Sequence, residues 1–360
     1  MVNILAKEKQ QTSSKKEVTS SKNAEGVKEM FQFIRRRAAY AVATILIVSI
    51  VVYLIFSLLP FDPAALTCGQ RCTPQIIEGN RIKLGLDKPI WEQYWLFLSG
   101  IFLGRSYGTG DAAFSCSAPA FGYSFNENAC VTDMLIEALP VTLSLAIGAL
   151  ILWLAVGMTL GVVAARFKGK WPDTVSSVFV LLATSLPTFV TGLALLIWVT
   201  IKWKIVPLSL SGYVSIFNNP FGFFQYFILP WITLAILYAA VYTRFTRAAV
   251  LETLGEDYIR TARAKGVNEK TVLRKHTLRA ILAPIVTLAG LDFAGLIGGA
   301  IITETIFNLP GLGRLTLRSV YEFDLPVVLA TTILAATVVI VMNLLVDMLY
   351  AVLDPRVRIE

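Results

Sequence analysis

Residues 38–59 read AAYAVATILIVSIVVYLIFSLL, an apolar run that follows directly after the three arginines at positions 35–37. A helix needs about 20 apolar residues to cross the hydrocarbon core of a bilayer, and this run is long enough to do so. It is too long for the core of a secretory signal peptide, and no Ala-x-Ala cleavage site follows it. We therefore predict that these residues form a transmembrane helix that the protein keeps.

The composition of the whole chain predicts further spans. Hydrophobic residues make up 56% of the 360 residues and charged residues 16%, and the mean hydropathy is +0.66. A soluble protein carries about 25% charged residues, so this chain has too little charge to cover a water-facing surface. That excludes most cytosolic enzymes, disordered proteins and nucleic-acid-binding domains. The other predicted spans are residues 139–165, 175–199, 228–248, 281–303 and 327–353. The expected fold is an all-α integral membrane protein with six transmembrane helices.

The distribution of basic residues predicts how these helices are oriented. With the amino terminus inside, the inner segments contain 23 of the 32 Lys and Arg residues, and the outer loops contain nine. Basic residues concentrate on the cytoplasmic side, so we expect a multi-pass protein of the cell membrane with both termini in the cytoplasm. Residues 60–138 then form a long extracytoplasmic loop, and residues 249–280 form a cytoplasmic loop. The Lys- and Ser-rich residues 1–30 are expected to be a disordered basic cytoplasmic tail.

Four cysteines fall in the long extracytoplasmic loop, namely Cys68, Cys72, Cys116 and Cys130. Cysteines that are confined to one oxidising compartment predict two disulfides. Three pairings are possible and the sequence does not choose between them, although Cys68–Cys72 and Cys116–Cys130 would close the shortest loops. The alternative is a zinc site with four thiolate ligands. We favour disulfides, and no metal, because an outer loop offers no reducing environment.

The chain lacks the motifs of several enzyme classes. It contains no G-x-x-x-x-G-K-[ST] phosphate loop and no H-E-x-x-H motif, and its one histidine is His276. A metalloprotease or a histidine-based catalytic triad within the membrane is therefore not expected. We predict that the chain is not an enzyme and holds no cofactor of its own.

The loop between the fourth and fifth spans predicts a short helix–turn–helix at the membrane surface. Residues that recur every four positions, and would share one helical face, are Val250, Leu254, Tyr258 and Ala262. Gly266 is suited to end that helix and Asn268 to cap the next one. Such an element either lies on anionic lipid or docks a soluble partner, and these residues alone leave both possibilities open.

The same loop resembles the coupling segment of ABC importer permeases. The stretch YIRTARAKG (258–266), followed by HTLR (276–279), is similar to the variant in the oligopeptide/dipeptide (peptide/nickel) subfamily, although Arg260, Thr261 and Ala262 replace the usual Glu-Ala-Ala. Other segments that resemble this subfamily are LPFDP (59–63), LDKPIWEQY (86–94), TETIFNLPGLGR (303–314), NLLVD (343–347) and LDPRVR (353–358). Together they cover about residues 31–360 and resemble the subunit type with a long first extracytoplasmic loop. The departures, Phe61, Ile101, Phe102 and an apparent insertion at 116–130, lie in that loop.

This resemblance implies a permease domain over residues 31–360, in an ATP-driven importer that passes dipeptides or oligopeptides from a binding protein into the cytoplasm. It implies as partners a second homologous permease subunit, two cytoplasmic ATPase domains that bind ATP and Mg, an extracytoplasmic substrate-binding protein, a peptide substrate and membrane lipid, but no nucleic acid. The residues that it implies for coupling to the ATPase are Tyr258, Arg260, Thr261, Ala262, Arg263, Ala264, Lys265 and Gly266. Related importers carry glutathione or nickel complexes, and those cargoes remain alternatives.

Candidates for the translocation path lie on and just after the fifth span. Asp292, Gly295 and Gly299 recur at spacings of three or four, and Glu304 follows at the outer end. An ionisable residue at membrane depth normally faces a bundle interior or water, and a Gly-x-x-x-Gly pair lets helices approach closely. Asp292 could instead form an interhelix hydrogen bond. Glu304 could hold the turn 310–313 by accepting hydrogen bonds from the backbone N–H groups of that turn. A stand-alone channel or secondary transporter is the rival function, although no inverted repeat is evident.

Overall fold

A computed structural model of the protein describes residues 32, 34–58, 63–66, 73–107, 114–206, 213 and 215–353. The predicted tail, residues 1–30, lies outside the described residues, and so do Cys68 and Cys72. The elements up to the second span are α1 (Ile34–Ser57), α2 (Pro63–Leu66), α3 (Pro74–Leu84), α4 (Ile90–Leu103), β1 (Arg105–Tyr107), β2 (Phe114–Cys116), β3 (Tyr123–Ser124) and β4 (Ala129–Cys130).

The rest of the chain is helical. In chain order its elements are α5 (Val131–Arg166), α6 (Trp171–Ser185), α7 (Thr188–Leu195) with a π-helical continuation (Leu196–Lys202), α8 (Pro220–Gly255), α9 (Asp257–Ala264), α10 (Glu269–Thr271), a π-helical segment (Val272–Thr277), α11 (Leu278–Gly299), α12 (Ile301–Ile306), α13 (Leu312–Tyr321) and α14 (Leu325–Leu353).

The helices confirm the predicted class of a helical membrane protein. Five described segments are long and apolar enough to cross a bilayer, and α6 with α7 makes a sixth if that bent pair is one span. Two small antiparallel hairpins, β1–β2 and β3–β4, add strand structure to the outer loop that the sequence analysis did not anticipate. They are too short, at two or three residues a strand, for a periodicity of two to be visible in the sequence.

The third span, predicted over 175–199 with Pro187 as a site for a kink, is broken at that proline. Helix α6 ends at Ser185, α7 begins at Thr188, and the two are bent by 99°. The cause is Pro187, because a proline disfavours the helical conformation of the residue before it, and Leu186 is indeed extended, with φ −99° and ψ 124°. Pro230 has no such effect, since α8 runs through it from Pro220 to Gly255.

The main core lies between α5, α8 and α11. The large side chains at its centre are fully buried, and they include Trp153, Phe227 and Ile285. Helices α5 and α8 are each 36 residues long and run in the same direction across the membrane. A smaller core joins the start of α5 to α13 and α14, and α1 and α4 pack on α14 through Phe97 and Leu329.

Two glycines of α5 let α8 approach closely. A Cβ atom at Gly157 would lie 2.7 Å from the Cβ of Tyr242, and one at Gly161 would lie 2.6 Å from the Cβ of Thr246. Apolar contact with lipid competes with apolar contact between helices, so tight backbone approach is a main source of helix association in a membrane. The Gly-x-x-x-Gly pair that brings helices together is therefore 157–161, which the sequence analysis did not select.

The predicted close approach at Gly295 is wrong within this chain. A Cβ atom at that position would meet no heavy atom within 4 Å among the described residues. Gly295 is exposed, because α8 and α14 pack on other faces of α11.

The glycine contacts give a test in one pair of variants. We expect Gly161→Ala to destabilise the protein by about 1–3 kcal/mol, because its methyl group would overpack against Thr246 and the Thr243 carbonyl oxygen. The matched variant Gly295→Ala adds the same methyl group in open space and should leave stability unchanged or slightly raised. The measurement is the temperature at which each variant, solubilised in detergent, loses its monodisperse peak in size-exclusion chromatography. Equal melting of the two variants would contradict the packing analysis.

Candidate coupling surface and translocation path

The candidate coupling surface is formed by α9, a short helix that is separate from the membrane spans. Helix α8 ends at Gly255, and Glu256 is extended, with φ −67° and ψ 148°, so the chain changes direction before α9 begins at Asp257. Ile259 is the buried residue of α9, and its side chain is fully enclosed. The helix is therefore held to the rest of the protein by one apolar anchor, which leaves most of its surface open.

The predicted common face of the loop is wrong. Val250 and Leu254 belong to α8, whereas Tyr258 and Ala262 belong to α9, and the break at Glu256 separates the two helices. Tyr258 is 48% exposed, and Ile259 takes the buried position instead. The four-residue spacing in the sequence extended across a helix end that has neither glycine at C′ nor proline to mark it.

The end of α9 follows the predicted chemistry closely. Gly266 has φ +77°, its N–H donates to the Arg263 carbonyl, and the N–H of Val267 donates to the Ala262 carbonyl. These two bonds form a Schellman motif, for which glycine is favoured because the left-handed conformation strains a residue with a Cβ atom. The side chain of Asn268 then caps α10 by accepting from the N–H of Lys270 at 3.0 Å.

Arg263 connects α9 to the following helix. Its Nε donates to Oε1 of Glu269 at 2.7 Å, and its Nη2 donates to Oε2 at 3.3 Å. This two-point pairing raises the pKa of Arg263 above its ordinary value. Of the eight residues assigned to coupling, Arg263 is thus engaged within the loop. Of the other seven, the residues with exposed surface are Tyr258, Arg260, Thr261, Ala264, Lys265 and Gly266.

A partly buried ion pair joins α6 to α8. Asp173 at the start of α6 is 7% exposed, and Arg247 of α8 donates to it through Nε at 2.7 Å and Nη2 at 2.9 Å. The N–H of Gly169 donates to the same carboxylate at 3.0 Å. The sequence analysis missed this pair, because residues 74 positions apart show no periodic relation.

Asp292 forms a hydrogen bond between two spans. The hydroxyl of Tyr242 in α8 donates to Oδ2 of Asp292 in α11 at 2.7 Å. Tyr242 in turn lies beside Trp153 of α5, with ring centroids 6.2 Å apart. The structure thus places Asp292 in the interhelix hydrogen bond that the sequence analysis named as the alternative to a path-lining position.

Glu304 lies in a separate helix from the other path candidates. Helix α11 ends at Gly299, and α12, which contains Glu304, begins at Ile301 after the interruption at Ala300. The structure therefore does not bring Glu304 onto the face of Asp292 and Gly295. The sequence analysis placed Glu304 at the outer end of the same span, and it did not detect the break because neither proline nor a charged residue marks Ala300.

The carboxylate of Glu304 is fully buried and organises the outer turn. It accepts from the hydroxyl of Thr142 in α5 at 2.7 Å and from the N–H of Arg314 at 2.9 Å. Thr142 itself accepts from the N–H of Leu312 at 2.8 Å. A Cβ atom at Gly311 would lie 2.4 Å from the carboxyl carbon, so the turn packs directly on this group.

The outer hairpins are fastened to this same region. A disulfide joins Cys116 of β2 to Cys130 of β4, and the two Cα atoms are 5.8 Å apart. Ser124 donates to the buried carboxylate of Asp324, and burial raises the pKa of that carboxyl despite this bond. Of the predicted disulfide cysteines, the structure pairs these two; no group of three His, Cys, Asp or Glu residues suited to a metal occurs in the described ranges.

Comparison with known proteins shows which family has a similar sequence. Residues 157–359 match the model described as binding-protein-dependent transport system inner membrane component, and residues 30–146 match the model for the amino-terminal part of such membrane components. A putative peptide transport system permease protein of Brucella abortus (strain 2308) is 39% identical over 336 residues, which are 92% of this chain and 100% of the relative.

Two further proteins are similar over much of their length. The glutathione transport system permease protein GsiC of Escherichia coli (strain K12) is 36% identical over 91% of this chain and 99% of its own. A chain of the MetNI methionine ABC transporter, solved in inward-facing conformations, is 18% identical, with a TM-score of 0.47, over 62% of this chain and 97% of that one. This last likeness is too low to carry an argument.

The stability of two variants tests whether the buried carboxylate of Glu304 contributes more than an exposed carboxylate. We expect Glu304→Gln to destabilise the protein by about 1–3 kcal/mol, because the amide NH2 that replaces one carboxylate oxygen cannot accept from the Thr142 hydroxyl or, in the flipped orientation, from the N–H of Arg314. The exposed Glu252 of α8 supplies the matched variant, Glu252→Gln, which should leave stability unchanged. Thermal unfolding in detergent measures both. The double variant Glu304→Gln/Thr142→Val should lose less stability than the sum of the two single variants, since the two side chains share one network. Strictly additive losses would contradict the shared network.

Proposed function

The chain belongs to the family of binding-protein-dependent transport system inner membrane components, and on that premise we propose that it carries short peptides into the cytoplasm. It is the permease subunit of an ABC importer, and the family works with ATPase subunits and a binding protein. The cargo class is supported by two relatives, one named a peptide permease and the other a permease for glutathione, which is itself a tripeptide.

We further propose the composition of the complex and its orientation. A second homologous permease subunit and two cytoplasmic ATPase domains assemble with this chain, and those domains bind the ATP and Mg that this chain does not hold. The chain itself does no catalysis. Both of its termini lie in the cytoplasm, in line with the excess of Lys and Arg on that side. The binding protein delivers the peptide from the opposite side.

The observation that supports coupling through α9 is the way this helix is attached to the rest of the protein. The helix stands apart from α8 and is anchored by Ile259, while the Schellman motif at Gly266 and the Arg263–Glu269 pair fix its far end. A rigid helix with a small buried anchor and an exposed basic face suits a groove on a soluble partner better than a role in the core. A purely lipid-bound helix would present a broad apolar face, and α9 has no such face among its exposed residues.

Charge reversal on α9 tests this proposal. Arg260 is 72% exposed in its side chain, so we expect Arg260→Glu to fold normally and to weaken association with the ATPase at least tenfold. Uptake of a radiolabelled dipeptide should fall in parallel. Association is measured by the ATPase that co-purifies with the tagged chain from the native host, and uptake in the same cells.

The matched control is Lys170→Glu, which reverses an exposed charge in the other cytoplasmic connection, between α5 and α6. It should leave both readings at the wild-type level. Gly266→Val provides a second variant, since it strains the left-handed residue that ends α9 without a steric clash within 4 Å. Wild-type uptake and ATPase recovery by both α9 variants would show that coupling occurs elsewhere. Absence of dipeptide and glutathione uptake in wild-type cells would overturn the cargo proposal instead.

A further inference from the structure

A cleft opens on the outer side of the protein between the first turns of α5 and helix α13. Its volume is about 720 Å³, within the range of small-molecule sites. We call it the outer cleft. Its charged and aromatic lining residues are Glu127, Glu137, Tyr213, Arg314 and Arg318. It lies directly beside the turn that Glu304 organises, because Gly311 lines it as well.

One of the two arginines in the outer cleft is already engaged. Arg318 pairs with Glu127 across the cleft and, through Nε at 2.8 Å, with Glu322, the residue that follows α13. These carboxylates raise the pKa of Arg318. The charges of Arg318 and Glu127 are therefore matched within the protein and are not available to a ligand without breaking an ion pair.

The other two charges face the cleft without such partners. Among the residues that the structure describes, the side chains of Glu137 and Arg314 form neither an ion pair nor a hydrogen bond. The cleft thus offers one negative and one positive group, carried by two different helices.

Glu137 and Arg314 line the same cleft from two helices that the Glu304 network joins. The N–H of Arg314 is fixed by Glu304 at 2.9 Å, which holds the first turn of α13 against α5. Glu137 projects from α5 itself, five residues before Thr142. The lining of the cleft also includes the apolar side chains of Met134, Ile136 and Leu315. Such a site would recognise two opposite charges on a ligand and tolerate variation in the apolar groups between them.

We propose that the outer cleft binds a short peptide by its two charged ends, with Glu137 pairing with the α-ammonium group and Arg314 with the α-carboxylate. The inference rests on the proposed peptide cargo and adds how this chain receives it. Arginine suits the second role, since its planar guanidinium can bind a carboxylate at two points. A zwitterionic phospholipid headgroup carries the same pair of charges, and the test below distinguishes the two sources.

The experiment measures peptide binding to the assembled transporter purified without its binding protein. The complex is placed in nanodiscs of phosphatidylglycerol, and binding of Ala-Ala, N-acetyl-Ala-Ala and Ala-Ala-amide is followed by saturation-transfer difference NMR. We expect each blocked peptide to bind wild-type complex at least tenfold more weakly than Ala-Ala. Glu137→Gln should abolish the preference for the free amino end, and Arg314→Gln the preference for the free carboxylate.

Two variants act as controls. Arg314→Lys keeps the positive charge and should keep most of the preference for the free carboxylate. Asp133→Asn neutralises an exposed carboxylate one turn earlier on α5, outside the cleft lining, and should bind all three peptides as the wild type does. Variants that retain both preferences, or wild-type complex that binds no peptide, would overturn the inference.

The source of the ligand and the proposed function are tested separately. If phosphatidylethanolamine added to the nanodiscs displaces Ala-Ala through Glu137 and Arg314, the cleft is a lipid headgroup site and the peptide assignment fails. Uptake of dipeptide by cells that express the wild-type chain depends on the proposed function alone. Normal uptake with no end-group preference in the cleft would therefore reject this inference and leave the proposed function intact.

Discussion

The close contact of α5 with α8 is the constraint on which the rest of the structure depends. In a bilayer the apolar side chains of a helix are as well solvated by lipid as by another helix, so the backbone must come close for packing to prevail. Gly157 and Gly161 supply that approach. Once α8 is seated there, the hydroxyl of Tyr242 reaches Asp292 of α11, and Arg247 reaches Asp173 of α6. The positions of two further spans thus follow from one glycine pair.

A second set of contacts closes the outer end of the same helices. The buried carboxylate of Glu304 ties α12 and the start of α13 to Thr142 of α5, and the hairpin residue Ser124 ties the loop to Asp324 before α14. Buried polar groups are stable in such a place when each finds a hydrogen-bond partner. Polar bonds between elements therefore hold the outer turn and hairpins in place, whereas α5 and α8 meet through close backbone approach.

The sequence carried some of these features openly. Long apolar runs and the positions of Lys and Arg predicted the spans, and Gly266 with Asn268 predicted the end of α9 and the start of α10, because these signals are local. Pro187 predicted a kink in the third span, but the sequence could not predict the angle of 99°, since that angle depends on what packs around the break. The residue that turns between α8 and α9, Glu256, is neither proline nor glycine. The four-residue spacing therefore wrongly predicted one continuous helical face across it. Pairs such as Asp173 with Arg247 depend on two distant segments meeting, which one sequence cannot show.

The equal length and common direction of α5 and α8 have a mechanical consequence. Each helix of 36 residues is about 54 Å long, so each reaches well beyond the hydrocarbon core. The glycine contacts make the two helices a single packed pair, with α9 at one end and the outer cleft at the other. A small tilt imposed through Ile259 would swing the far end by a larger arc, since the displacement grows with distance from the pivot. If α9 couples to the ATPase as proposed, a displacement of α9 would therefore change the width of the outer cleft at the other end of this helix pair.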